Sequence, residues 1–259
     1  MRIFVTDKYR IITFALICAT IGFGAFLTGG GTQSVSTNAK IVPIYSVQRN
    51  DNAISLTFDC AWGSDDIESI VKTLEKHNCK ATFFVLGTWA EKYPSAVKML
   101  YKAGHEIANH SYNHTYYTTL TTQQMLADIK KCNDAINKAC GVTPVLFRAP
   151  SGDYNNDVIN SCHSENMEYI QWSVDSLDWR GLNCEQMLER IIPKTKSGDI
   201  LLFHNDTAHT AESLDKILTE LEKKGFSFLK VSDLIYKDNY TIDHTGRQHP
   251  AAAPSSRTN

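Results

Sequence analysis

The 259-residue sequence has no surplus of basic charge: 26 Lys and Arg face 28 Asp and Glu, for a net charge of −2. Nucleic-acid binding needs a concentrated basic face, so that class of partner is set aside. No Cys-x-x-Cys pair occurs among the seven cysteines, which excludes a zinc ribbon of the usual kind. Their spacings match no small disulfide-stapled scaffold, and a chain of this length does not need one, so pairing is left undecided. No G-x-G-x-x-G follows an apolar run, which argues against a dinucleotide-binding sheet and any nucleotide cofactor.

What is present is a chain with three compositional zones. Arg2, Lys8 and Arg10 precede an uncharged apolar run from Ile11 to Leu27. That pattern reads as a signal anchor over residues 1–28, with a cleaved signal peptide as the alternative, since no clear A-x-A site follows. The positive-inside rule then puts the rest of the chain outside the membrane, anchored or secreted to the cell wall. Residues 29–49 read as a Gly, Ser, Thr and Asn-rich linker passing into a short strand near "KIVPIYSV". Residues 237–259 contain few apolar side chains and read as a disordered tail. Function is therefore expected within one domain, residues 50–236.

That interval alternates between two periodicities. Short apolar runs at 54–59, 81–87, 105–110, 145–150, 169–175, 199–205 and 226–231 read as strands buried on both faces. Helical-period segments at 65–77, 90–104, 121–141 and 210–225 lie between them, several closing with Gly or Lys. Strand followed by helix about seven times over implies parallel strands with right-handed crossovers. The expected fold class is α/β, a distorted (β/α)7-type barrel, with an open doubly wound sheet as the competitor.

In such a barrel the active site forms at the C-terminal ends of the strands. Asp59, His110, Asp175 and His204 each stand at the end of a run, and Arg148 just before the end of another. One strand-end Asp is ordinarily a helix cap and one His ordinarily a hydrogen-bonded core residue, but five at one rim is a poor fit to chance. His110 and His114 are four residues apart in "NHSYNH", a spacing at which two imidazoles can share a divalent ion. A catalytic metal also needs a third protein ligand, and the acidic candidates lie in "LTFDCAWGSDD", residues 56–66.

Five short motifs in order make the sequence resemble the polysaccharide deacetylases of carbohydrate esterase family four across roughly residues 50–236. They are "TFDC" (57–60), "HSYNH" (110–114), "RAPSG" (148–152), "DSLDW" (175–179) and "LFH" (202–204). The "AWG" after the first motif, with "VDSLDWRG" and "ILLFHN", is most similar to the branch associated with sporulation and cell-wall glycans. Two positions depart from the pattern. Cys60 stands where most members have a second Asp that ligates the metal, and Ser151 stands where they have an aromatic residue.

The resemblance implies a metal-dependent hydrolase that removes N-acetyl groups from an amino-sugar polymer, most naturally peptidoglycan. It implies one divalent ion, zinc first and cobalt or another transition metal next, held by His110, His114 and a third group. Asp65 is favoured as that group, with Asp66, Cys60 or no metal at all as the alternatives. Asp59 is implied to be the general base, Arg148 its partner, His204 the general acid and Asp178 the carboxylate that orients His204. Asp175 is implied to brace Arg148 or its loop, the backbone N–H of Ser151 to face the oxyanion, and Trp179 and Leu202 to wall an acetyl pocket. A monomeric catalytic domain is expected. The competing functions are an inactive glycan-binding pseudoenzyme, motivated by Cys60, and an amidase acting on a small non-sugar amide.

Overall fold

A computed structural model describes residues 39–251. The signal-anchor expectation for residues 1–28 lies outside the described residues, and among those described no helix is long and apolar enough to cross a membrane. The chain after residue 39 forms one unit.

Its centre is strand β2 (Ala53–Cys60), all eight residues of which are buried. Parallel strands flank it on both sides, β3 (Thr82–Val85) and β8 (Ile200–His204). From β3 the sheet continues through β4 (Glu106–Asn109), β5 (Leu146–Phe147) and β6 (Glu168–Tyr169), and β8 pairs on its other edge with β7 (Val174–Asp175). β9 (Ser227–Phe228) pairs with the start of β2. Every pairing in this sheet is parallel, so the strand ends carrying Asp59, His110 and His204 rise on the same side.

The expected strand at 169–175 is in fact two short ones, β6 and β7, at opposite ends of the sheet path. Tyr169 pairs with β5, whereas Val174 and Asp175 pair with β8, and Gln171 N–H turns aside to the carbonyl of Ile44. The sheet therefore curls round until its edges are two halves of one segment, giving a distorted, incompletely closed barrel.

Helices follow most strands: α1 (Ile67–Lys76), α2 (Gly87–Lys92), α3 (Pro94–Lys102), α4 (Thr122–Cys140), α5 (Asn156–Ser164), α6 (Cys184–Ile191), α7 (Thr210–Lys223) and α8 (Val231–Leu234). α4 is bounded as its sequence dictates, by a Thr121–Gln124 capping box and by Gly141 at φ 84°. The expected helix at 90–104 is split at Tyr93, because Pro94 starts a new helix and cannot continue the old one.

Two boundary expectations are corrected. Residues 46–47 of the expected linker form β1 (Ser46–Val47), and the expected tail contributes β10 (Tyr240–Ile242) and β11 (Arg247–Pro250), which join it in a second, three-stranded sheet. Backbone pairing and the buried Gln248 supply the order that apolar content did not announce. Gln248 exchanges two side-chain bonds with Tyr236, at 2.7 Å each. The six cysteines beyond residue 39 are all free thiols.

Candidate active site

A cavity of about 360 Å³ opens at the C-terminal ends of the strands, and Asp59, His110, His114, Ser151, Trp179 and His204 are among its walls. Asp175 and Leu202 also line it.

Asp59 and Thr57 lie two apart on β2 and so face the same side. The guanidinium of Arg148 reaches both, donating from Nη1 to Asp59 Oδ1 at 2.8 Å and to the Thr57 hydroxyl at 2.9 Å. Its other nitrogens donate to the carbonyls of Ile170 and Gln171, and the group lies 4.0 Å from the Phe84 ring centre. Arg148 is fully buried. Burial alone would raise the Asp59 carboxyl, but the charge of Arg148, helped by His110 and His204, outweighs it and holds Asp59 below the usual carboxylate range.

The "HSYNH" segment is a tight loop rather than a helical turn, with Ser111 and His114 at φ 75° and 65°. Asn109 fixes its start by accepting the Ser111 N–H, and the Ser111 hydroxyl accepts the His114 N–H. His110 Nδ1 pairs with the carbonyl of Arg148 at 2.8 Å, which puts the proton there and leaves Nε2 facing Asp59 Oδ2, 3.6 Å away. The two imidazoles meet edge to face with centres 5.5 Å apart. Burial pushes His110 down to about 4 and lowers His114 as well, so both carry a free lone pair near neutral pH.

His204 faces them from β8. Its Nδ1 lies 2.8 Å from Asp178 Oδ1, and Asp178 Oδ2 accepts the His204 N–H and the Thr210 hydroxyl. Burial alone would lower His204, but the bond to buried Asp178 and that carboxylate's charge overcome it and raise the imidazole. Trp179 is 58% exposed and Leu202 is buried, on adjoining walls of the cavity.

Several expectations are corrected. Asp65 is exposed and does not reach the cavity. Asp66 turns to the β8–α7 loop, where its carboxylate accepts from Asp206 N–H and Asn205 Nδ2. Cys60 points to the opposite face of β2 from Asp59 and packs in the apolar core, where burial pushes its thiol well up. Of the two alternatives stated for Asp175, the structure has the loop: its carboxylate accepts the N–H of Leu177, and among the described residues it makes no hydrogen bond to Arg148, on which it acts by charge alone. Of the donor set implied for a metal, the structure brings together two imidazoles, His110 and His114, with no third ligand beside them among the described residues. Among the described residues no three His, Cys, Asp or Glu side chains converge to share an ion.

Residues not singled out from sequence complete the site. Trp172 lines the cavity and sits 5.4 Å from Arg148, and the hydroxyls of Thr57 and Thr210 anchor Arg148 and Asp178. Thr57 was legible in the alternation T-x-D, whereas nothing local marked Thr210, six residues beyond His204. Trp62, at 60% exposure, stands at the rim with its ring centre 5.9 Å from that of His114.

The polysaccharide deacetylase family model matches residues 46–170. A peptidoglycan-N-acetylglucosamine deacetylase of Bacillus cereus is 33% identical over 196 residues, which cover 74% of this chain and 92% of that protein. The chain belongs to the polysaccharide deacetylase family. It is 34% identical to the peptidoglycan-N-acetylglucosamine deacetylase PgdA of Listeria monocytogenes over 74% of its own length, and spans only 41% of that protein. Among solved structures, the carbohydrate esterase family four pseudoenzyme BA3943 of Bacillus anthracis superposes with a TM-score of 0.72. It is 30% identical, over 82% of this chain and 73% of that one.

Proposed function

We propose that the chain hydrolyses N-acetyl groups on the amino sugars of peptidoglycan, outside the cytoplasmic membrane, releasing acetate and leaving a free amine. The observation that carries this reading is an ionised Asp59 and a His204 with raised proton affinity, opening on one small cavity.

In this reading Asp59 takes a proton from the attacking water, and Arg148 keeps the carboxylate ionised and aimed. The Ser151 N–H lies on a left-handed turn, φ 57°, has no intramolecular acceptor among the described residues, and serves the oxyanion. His204 donates a proton from Nε2 to the departing amine nitrogen, while Asp178 holds the Nδ1–H and so fixes the tautomer. Trp179 and Leu202 hold the acetyl methyl between them. His110 and His114 are the groups that would hold a divalent ion, zinc first, whose contribution when bound is to polarise the carbonyl and acidify water.

Acetate release from glycan fragments tests the reading. Asp59→Asn is expected to lower it by about 10²–10⁴-fold; release that survives the change contradicts the assignment of the base. A second reading, a glycan-binding pseudoenzyme, is favoured by the unassembled third ligand and by the likeness to BA3943. It predicts glycan binding with no acetate release at any metal loading.

A further inference from the structure

Asp178 is held by four donors. Its Oδ1 faces His204 Nδ1 and accepts the Trp179 N–H, each at 2.8 Å, while its Oδ2 accepts the His204 N–H and the Thr210 hydroxyl, each at 2.7 Å. Two of these donors are backbone groups and one is the imidazole itself. Thr210 is thus the one further side chain that hydrogen-bonds the carboxylate among the described residues, and both partners are buried.

The direction of the Thr210 bond follows from its chemistry. An ionised carboxylate has no proton to give, so the single hydroxyl hydrogen of Thr210 is committed to Asp178. The Thr210 oxygen in turn accepts from the Thr207 hydroxyl at 2.6 Å, and the Thr207 oxygen accepts the Thr210 N–H at 3.2 Å. A helix start accounts for the last of these contacts: Thr207 takes the first N–H of α7, whose preceding residue, His209, supplies no side-chain cap. It does not account for a buried hydroxyl aimed at a carboxylate. Chained donors polarise one another, so the hydrogen from Thr207 makes Thr210 a better donor.

We propose that Thr210 is a positioning residue of the active site, which acts through Asp178 to set how firmly the His204 imidazole keeps its proton. The role in catalysis rests on the hydrolase reading above; the effect on the imidazole does not. Donation into Oδ2 draws negative charge away from the oxygen that the imidazole faces, and so loosens the hold on the His204 proton. The other charged groups facing His204 come from separate elements. Asp59 on β2 and Asp175 on β7 raise it, and His114, in the loop after β4, meets it as a like charge. Losing the Thr210 hydroxyl and losing the Asp178 carboxylate should therefore move His204 in opposite directions, which a general loosening of the site would not do.

The test is an imidazole NMR titration of the full chain in chelator, with the His204 signal assigned by its absence from His204→Gln. Thr210→Val keeps the shape and removes the donor. It is expected to move the His204 titration up by about half a pH unit, since two or three donors together lower a carboxylate by about 2 units. Thr210→Ser is expected to restore the wild-type value, and Asp178→Asn to move it down. Thr210→Ala carries the same expectation as Thr210→Val and replaces it should that variant not fold. An unmoved or lowered value in the hydroxyl-free variants overturns the proposal, as does an upward move that persists in Thr210→Ser. Acetate release against pH on the same proteins separates the two claims, its alkaline limb being expected to follow the NMR value upward. An upward move with no release from the wild type at any metal loading removes the hydrolase reading alone, and release with an unmoved His204 removes the positioning role alone.

Discussion

Arg148 and Asp59 form a buried ion pair 2.8 Å long in which the guanidinium is fully enclosed and the carboxylate keeps one oxygen toward the cavity. The same pair is a stability element and, in the proposed reaction, contains the base. Removing one partner leaves an uncompensated buried charge, which costs about 3–5 kcal/mol. Arg148→Met is therefore expected to lower unfolding free energy in urea by about that amount. The double variant Asp59→Asn with Arg148→Met is expected to recover part of it, and strict additivity of the two losses would count against direct pairing.

The rate of acetate release should follow a bell in pH. Asp59 is held below the usual carboxylate range, so its ionised form persists well into acid and the acid limb lies low. His204 is raised above the ordinary imidazole value of about 6.5, so the alkaline limb lies above that value. The stability contributed by the His204–Asp178 pair has the matching sign. It is complete below the unfolded-state value and fades as pH rises through the higher folded-state one. Asp178→Asn is expected to move the alkaline limb to lower pH and to reduce kcat by about 10²-fold or more; an unmoved limb would place another group in that role.

Metal retention distinguishes the ligand sets. If His110 and His114 hold the ion as proposed, His110→Ala and His114→Ala are each expected to reduce zinc bound per chain after equilibrium dialysis, since their imidazoles face one another at the cavity. Asp65→Ala is expected to leave zinc content unchanged, since its side chain is exposed and off the cavity. Loss of zinc from the Asp65 variant would restore it as a ligand.

Gly63→Ala should report on the pinned rim loop. A Cβ at Gly63 would lie 2.6 Å from the carboxyl carbon of Asp206, so the carboxylate that accepts the Gly63 N–H must move. A destabilisation of about 1–3 kcal/mol is expected, in the range of overpacking, together with a change in Trp62 fluorescence. A variant with wild-type melting and emission would show that the loop is not held this way.

The strand-end residues were legible because their placement follows from local chemistry. Apolar runs set the strands, parallel order sends their C-terminal ends to one side, and polar residues at those ends had nowhere else to meet. The repeated strand and helix periods, the capping box at Thr121 and the helix stop at Gly141 are likewise properties of neighbouring residues in the chain. Which way a side chain leaves a strand end, and which partner claims it first, depends on contacts far apart in sequence. Cys60 faces the core because Asp59 faces the cavity, Asp66 is claimed by a loop some 140 residues away, and Asp175 by its own turn. The tail's order likewise came from pairing with β1 near the other end of the described chain. Sequence thus determined which groups arrive at the rim, whereas tertiary structure decided which remain free to act there, because hydrogen-bond satisfaction of buried polar groups is settled only when distant segments meet.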